Sequence, residues 1–285
     1  MKQVLYFAVI IIVTLSGCRR GDKGEDKEHT GTTIPAQKEV QAQTKCDSIY
    51  SKEYMVLGTL YQQQAAECRA LCYQAYNIGK ILIDVDLKDK SVDKHRIVVL
   101  DIDETVLDNS PYEAECIIGN FNYPDRWDEW CLKASAKAIP GSLNFLNYAR
   151  DCGISVFYIT NRKEHLKDAT IANLKNLGFP QADEDHVIMR TSENSKEVRR
   201  VFLSDKYHIS LLFGDNLEDF SDVFEAKSNS GRATATDNLQ KEFGKRFIVL
   251  PNSMYGEWET TIYKSDKKMP DSLKFMNRRK ALQGF

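Results

Sequence analysis

The chain has 285 residues, of which 42% are hydrophobic and 28% charged, a balance that supplies a sizeable core and excludes general disorder. Its formal net charge is -2, and Lys and Arg are scattered rather than gathered in one arm, which excludes a basic footprint for a nucleic-acid polymer. The length exceeds one average domain, yet a single α/β domain with insertions absorbs it.

The opening residues, MKQVLYFAVIIIVTLSGC, join Lys2 to an apolar stretch from Val4 to Leu15 that is too short to span a bilayer as a permanent helix. Residues 1–17 therefore read as an export signal peptide; the competing reading, a short buried helix, rarely opens on a lone cation and closes on small residues. Leu15-Ser16-Gly17-Cys18 resembles the bacterial lipobox. That resemblance implies cleavage before Cys18 and several acyl chains on the mature terminus, and more than one chain is what stable membrane anchoring requires. Residues 18–45 are rich in charge, Gly and Thr and nearly free of large apolar side chains, so they read as a flexible tether from lipid to domain.

The folded domain is expected over 46–285. Cys46, Cys68, Cys72, Cys116, Cys131 and Cys152 show neither a CxxC pair nor a Cys/His zinc pattern. Cys68 and Cys72, four apart, share one helix face and are read as small apolar packing residues. Apolar residues recur at helical spacing through Met55, Leu60, Cys68, Cys72, Ala75 and Ile78, predicting one or two amphipathic helices within about 46–90.

From there, short apolar runs at 97–102, 154–160, 186–189, 209–215 and 246–251 alternate with longer helical stretches. Continuous β-branched runs separated by helices predict an α/β fold, a doubly wound parallel sheet covered on both faces. The segments at about 104–150 and 216–245 exceed a simple crossover and predict helical insertions, forming a smaller, mostly helical cap.

Three of the strands run straight into polar residues, at the edge where doubly wound folds place their ligands. The first, RIVVLDIDETVLDNSPY, ends on Asp101 and Asp103, two apart in an extended segment and so on the same side. Two carboxylates that close repel unless a cation or a proton intervenes, which suits a nucleophile beside a general acid with a divalent metal near both. The stretch alone equally fits a strand end followed by acidic helix-capping residues. VFYITNRK places Thr160 and Asn161 at the next strand end, fit to donate to a phosphoryl oxygen or to cap a helix. LLFGDNLEDF places Asp215 after Gly214, a hard oxygen ligand beside a residue that permits close approach, with Asp219 a weaker candidate outside the ligand shell. MRTSENSKEVRR offers Lys196 as the cation that offsets developing charge; Arg190 and Arg199 are alternatives.

In this order the motifs resemble those of the haloacid dehalogenase superfamily. LDIDETVLDNSPY, VFYITNRK, GDNLEDF and LPNSMYGEWE resemble more closely the class C acid phosphatases, the family that includes bacterial outer-membrane lipoprotein e. The resemblance implies a Rossmannoid core and a magnesium-dependent phosphomonoesterase that forms an aspartyl-phosphate at an acidic pH optimum. Asp101 would be the nucleophile, Asp103 the acid and base, and Thr160, Asn161 and Lys196 the phosphate-binding residues. Mg2+ would be held by Asp101, the backbone carbonyl of Asp103, and Asp215. YPDRWDEW and NSMYGEW resemble the segments that stack a nucleoside base, implying Trp127 and Tyr255 as the substrate-binding pair and nucleoside 5'-monophosphates, such as nicotinamide mononucleotide, as substrates; aromatic packing is the plainer reading of both rings. Also implied are an outer-membrane location, a homodimer and an association with haem uptake. No CxxCH or axial-ligand pair supports the haem reading, and the intact aspartates argue against a catalytically silent surface protein.

Overall fold

The computed structural model describes residues 52–225, 228–266 and 268–285. The predicted signal peptide, Cys18, the predicted tether and Cys46 lie outside the described residues. The helical pattern of the early domain resolves into two helices, α1 (Glu53–Gln64) and α2 (Ala66–Asp86). The break is at Ala65, whose ψ of 122° is extended and interrupts the helical hydrogen-bond run. On α2 the buried positions are Cys68, Cys72, Ala75, Tyr76, Gly79 and Ile83, one stripe at three- and four-residue spacing. No helix among the described residues is long and apolar enough to cross a membrane.

The chain then runs through β1 (Arg96–Leu100), β2 (Leu107–Asp108), α3 (Ser110–Gly119), α4 (Trp127–Leu132), β3 (Lys137–Ala138), α5 (Ser142–Asp151) and β4 (Ser155–Lys163). It continues with α6 (Lys167–Asn176), β5 (Val187–Arg190), α7 (Glu197–Lys206), β6 (His208–Gly214), α8 (Asn229–Asn238), β7 (Phe247–Val249), α9 (Glu257–Thr260) and α10 (Asp271–Ala281). Five strands form one parallel sheet in the order β5-β4-β1-β6-β7. The predicted α/β class and the five predicted strands are all present. The 104–150 insertion is helical in α3 and α4 but also contains a small antiparallel pair, β2 with β3.

Alternate residues of the central strands serve opposite layers, as the two-residue period of a strand requires. Val98, Leu100, Val156, Tyr158, Leu211 and Phe213 pack in one cluster with α2 and α5, while Ile97, Val99, Phe157, Ile159, Ile209 and Leu212 pack in a second with Leu203 of α7 and with Phe220 and Phe224. This is why the strands read as unbroken apolar runs: both faces are dry. On the first face α2 approaches closely, because a Cβ on Gly79 would lie 2.7 Å from the Phe213 ring and 2.9 Å from that of Phe145.

One boundary differs from expectation. The strand expected to stop at Thr160 continues as β4 to Lys163, where it pairs with Arg190 of β5 across a register shift. Thr160 and Asn161 are therefore strand residues rather than a helix cap, and α6 begins only at Lys167. The extension has a consequence for side-chain direction: Thr160 and Arg162 are buried, while Asn161 and Lys163 are exposed.

Candidate active site

β1 lies between β4 and β6, and the chain leaves it first toward β4 and later returns to the opposite side at β6. That is the topological switch point at which an open parallel sheet holds ligands beyond its carboxyl ends. Asp101 follows β1, Asp215 follows β6, and Thr160 lies near the end of β4, so three neighbouring strands bring residues more than a hundred positions apart into one volume. The Asp101 amide donates to Phe213 O at 3.0 Å, which continues the β1–β6 ladder and fixes where the carboxylate leaves the sheet.

Ligand oxygens of Asp101, Asp215 and Asp219 all lie within 4.8 Å of one another. Lys196, at the N-terminal cap of α7, inserts a buried ammonium among them, donating to Asp101 Oδ1 and, at 2.6 Å, to Asp219 Oδ1. Asp219 has its second oxygen occupied as well, since Asn216 N donates to Oδ2 at 3.0 Å; its evident work is to aim Lys196. Gly214 makes the turn possible, because a Cβ there would come within 2.4 Å of Asp219 Cβ and Oδ2. Asp215 Oδ2 accepts from Asn252 Nδ2 at 2.8 Å, and Oδ1 from Thr105 Oγ1 at 3.3 Å.

Crowding these carboxylates in a buried place has a predictable electrostatic result. Burial raises the Asp101 carboxyl well above the usual carboxylate range; the Lys196 ammonium opposes this, and Asp219, Asp215 and Asp103 add to it. Burial, then the Asp219 charge, pushes Asp215 up to about 7. Burial disfavours the charged Lys196, but Asp101 and Asp219 outweigh it and hold the ammonium protonated well beyond the ordinary lysine range. The surplus of negative charge and the all-oxygen donor set fit a hard divalent cation.

Asp103 faces different partners. Its Oδ1 accepts from Arg162 Nε at 3.0 Å and from Asn109 Nδ2 at 2.8 Å and lies 2.8 Å from Arg162 Nη2 in an ion pair, whereas Oδ2 has the Thr160 hydroxyl at 3.4 Å. The next residue, Glu104, is fully buried and left-handed at φ 56°, a conformation that strains any residue but glycine and persists where surroundings overdetermine it. Its Oε1 accepts from Asn109 N at 2.7 Å, and its Oε2 accepts from the Tyr255 hydroxyl. Burial raises the Glu104 carboxyl well above its normal range, with the charges of Asp103 and Asp215 adding to it.

The predicted site residues thus separate into groups. Asp101, Asp103, Asp215, Thr160 and Lys196 converge. Asn161 does not: it is exposed, and its Oδ1 accepts from Arg199 Nη2 at 2.6 Å. Of the alternative cations, Arg199 holds the Thr160 carbonyl at 2.7 Å and Arg190 holds Asn194 at 2.8 Å, which leaves Lys196 as the one in contact with Asp101. Trp127, half-buried, packs edge-on against Tyr112 and Tyr123 with ring centroids at 4.9 and 5.7 Å. Trp127 and Tyr255 are each tied to the Asp103–Glu104 segment, one through Arg162, whose guanidinium lies 5.5 Å from the Trp127 centroid, and the other through Glu104. Arg162, Glu104, Asn109 and Asn252 were not expected from the sequence. Arg162 had a signal: two residues after Thr160 in a strand, it must face the same side.

Comparison with known proteins follows the same lines. A family model described as HAD superfamily, subfamily IIIB (acid phosphatase) matches residues 26–258. The fold is similar to that of the class C acid phosphatase from Bacillus anthracis, with 40% identity and a TM-score of 0.80 over 83% of this chain and 99% of that one. The structure of that protein with tungstate bound matches with 41% identity and the same TM-score of 0.80. Acid phosphatase 1 of Solanum lycopersicum is 29% identical over 207 residues, 72% of each chain.

Proposed function

Because this chain belongs to the HAD superfamily, subfamily IIIB acid phosphatases, and is a phosphomonoester hydrolase, we propose that it hydrolyses nucleoside 5'-monophosphates and simpler phosphate monoesters through an aspartyl-phosphate on Asp101. The observation that carries this reading is the contact of Lys196 with Asp101 and Asp219 beside Asp215. A reactive carboxylate, a fixed cation and a set of hard oxygens meet at one strand-end crevice, and phosphoryl transfer asks chiefly for positioning and charge neutralisation. That the Bacillus anthracis relative has been seen with tungstate, a tetrahedral oxyanion like phosphate, supports the same chemistry here.

In the proposed first half-reaction an Asp101 oxygen bonds to phosphorus. The bond from phosphorus to the ester oxygen breaks, its electron pair passes to that oxygen, and Asp103 supplies the proton that completes the alcohol. In the second half a water oxygen bonds to phosphorus, its proton returns to Asp103, and the electron pair of the breaking acyl-phosphate bond returns to Asp101. Thr160 and Lys196 would hold the transferring oxygens. Asp101, the Asp103 carbonyl and Asp215 would hold Mg2+, whose contribution when bound is to offset the charge of phosphate and carboxylates together. Since Asp103 must carry a proton at the start, the expected optimum lies below neutral pH. We propose further that residues 1–17 are removed and that Cys18 carries the lipid that ties the domain to the bacterial envelope.

The test is phosphate release from AMP, nicotinamide mononucleotide and p-nitrophenyl phosphate, in magnesium and after chelation. Chelation should abolish turnover and added magnesium restore it, and Asp101→Asn should lose on the order of 10³-fold or more in kcat/KM, as removal of a covalent nucleophile does. Substantial activity surviving in Asp101→Asn would overturn the covalent route.

A further inference from the structure

Arg162 is 2% exposed, at the far end of β4 beyond the point where the sequence suggested the strand would stop. Burying a guanidinium is costly unless its donors are matched, and here they are. Nε and Nη2 both reach Asp103 Oδ1, at 3.0 and 2.8 Å; Nη1 donates to Thr170 Oγ1 at 3.2 Å, and Nη2 to Asn109 Oδ1 at 3.3 Å. Asn109 is itself held, since its Oδ1 also accepts from Trp130 Nε1 at 2.8 Å and its Nδ2 donates to Asp103 Oδ1 at 2.8 Å. One oxygen of Asp103 therefore accepts hydrogen bonds from two buried side chains, Arg162 through Nε and Asn109 through Nδ2, with Arg162 Nη2 in ion-pair contact besides. The other receives a single long contact from Thr160, at 3.4 Å.

A carboxyl group that must give and take a proton needs one oxygen free and turned toward the reacting atoms, and an unrestrained aspartate rotates its two oxygens freely about χ2. Saturating Oδ1 removes that freedom. We propose that Arg162 is a positioning residue: with Asn109 it fixes Oδ1 of Asp103 and so reserves Oδ2 for the proton that passes to the leaving oxygen. The inference rests on the reading of Asp103 as the acid. Thr160 and Arg162 emerge on the same side of β4, so a single strand presents both a donor for the phosphoryl group and the brace for the acid. The planar fork matters as well as the charge, because two of its nitrogens converge on one oxygen, a geometry that lysine cannot reproduce.

The experiment varies the leaving group. In magnesium, kcat/KM ends at departure of the leaving group, so it isolates the step in which the proton is given. p-Nitrophenolate departs with little protonation, whereas glycerol leaves phosphate only as the alcohol, and taking the same ratio in a Trp127→Ala background removes any stacking of the nitrophenyl ring from it. Arg162→Gln should raise the ratio of kcat/KM for p-nitrophenyl phosphate over glycerol phosphate by on the order of 10²-fold, the usual contribution of a placed acid. Arg162→Lys should give the same bias to a smaller degree, and it carries the readout if Arg162→Gln does not fold. An equal loss on both substrates would make Arg162 a structural residue and overturn the inference. Asp103→Asn separates the premise from the inference: a ratio that Asp103→Asn leaves unchanged would remove the acid itself and the inference with it. A ratio raised in Asp103→Asn but not in either Arg162 variant would overturn the positioning role alone.

Discussion

Two aspartates two positions apart in the chain live in opposite company. Asp101 is buried against the ammonium of Lys196, and Asp103, partly open, is gripped on one oxygen by the fork of Arg162. Each cation is itself fixed, Lys196 by Asp219 and Arg162 by Asn109 and Thr170, so neither carboxylate is free to trade partners with the other. Such an asymmetry would let one carboxyl attack while its neighbour handles protons, the roles proposed for them. The aromatic residues carry a separate expectation. If Trp127 stacks a nucleobase, Trp127→Ala should raise KM for AMP by about ten- to a hundredfold, since stacking is worth about 1–3 kcal/mol per base. Glycerol phosphate, which has no ring to stack, should be far less affected, and steady-state assays of the two side by side check this. The aspartates and Lys196 were legible because their residue types announce their chemistry. Arg162 and Glu104 were not, because each does its work by touching another side chain, and contact partners distant in the chain leave no mark on local pattern.

At the level of elements, β4 and the helices around the insertion decide more than their sequences suggest. β4 outlasts its apolar run because Lys163 still finds a partner in Arg190, and this pairing is what turns Arg162 inward. The packing of α3 on α1 is fastened by Gln63 Nε2 donating to Ser110 O at 3.1 Å, and within the first turn of α3 the Glu113 side chain is buried to 7% exposure. Burial, with the Glu259 charge adding to it, pushes Glu113 up from 4.5 to about 7. An acid whose folded value is raised binds its proton more tightly folded than unfolded. Its full stabilisation is therefore present below about 4.5, drains as pH rises toward about 7, and is absent above that. The loss amounts to up to about 3 kcal/mol by the usual conversion of a pKa difference. Glu113→Gln should flatten this component, leaving a smaller fall in urea midpoint between mildly acidic and mildly alkaline buffer. An unchanged fall in the variant would show that Glu113 is not its source.

For the whole molecule, the parallel order β5-β4-β1-β6-β7 places β1 at the centre and lets the chain deliver three strand ends to one crevice. The site residues that converge all lie within the described residues, and the proposed lipid would set where the enzyme works rather than what it does. Accordingly, full-length chain produced in a bacterial host should fractionate with membranes and be released by detergent, while Cys18→Ser should appear in the soluble fraction with its phosphatase activity intact; an unaltered distribution would count against the lipid anchor. Legible in the sequence alone were the α/β class, the five strands and the candidate residues at or beyond their ends, Asp101, Asp103, Thr160, Lys196 and Asp215, because buried parallel strands need unbroken apolar runs and their polar ends stand out against them. Only the tertiary structure decided which cation meets which carboxylate, that Asn161 faces away while Arg162 faces in, and that Glu104 and Tyr255 are joined. Those outcomes depend on sheet register and helix placement across separations of up to 151 residues, which local spacing does not encode.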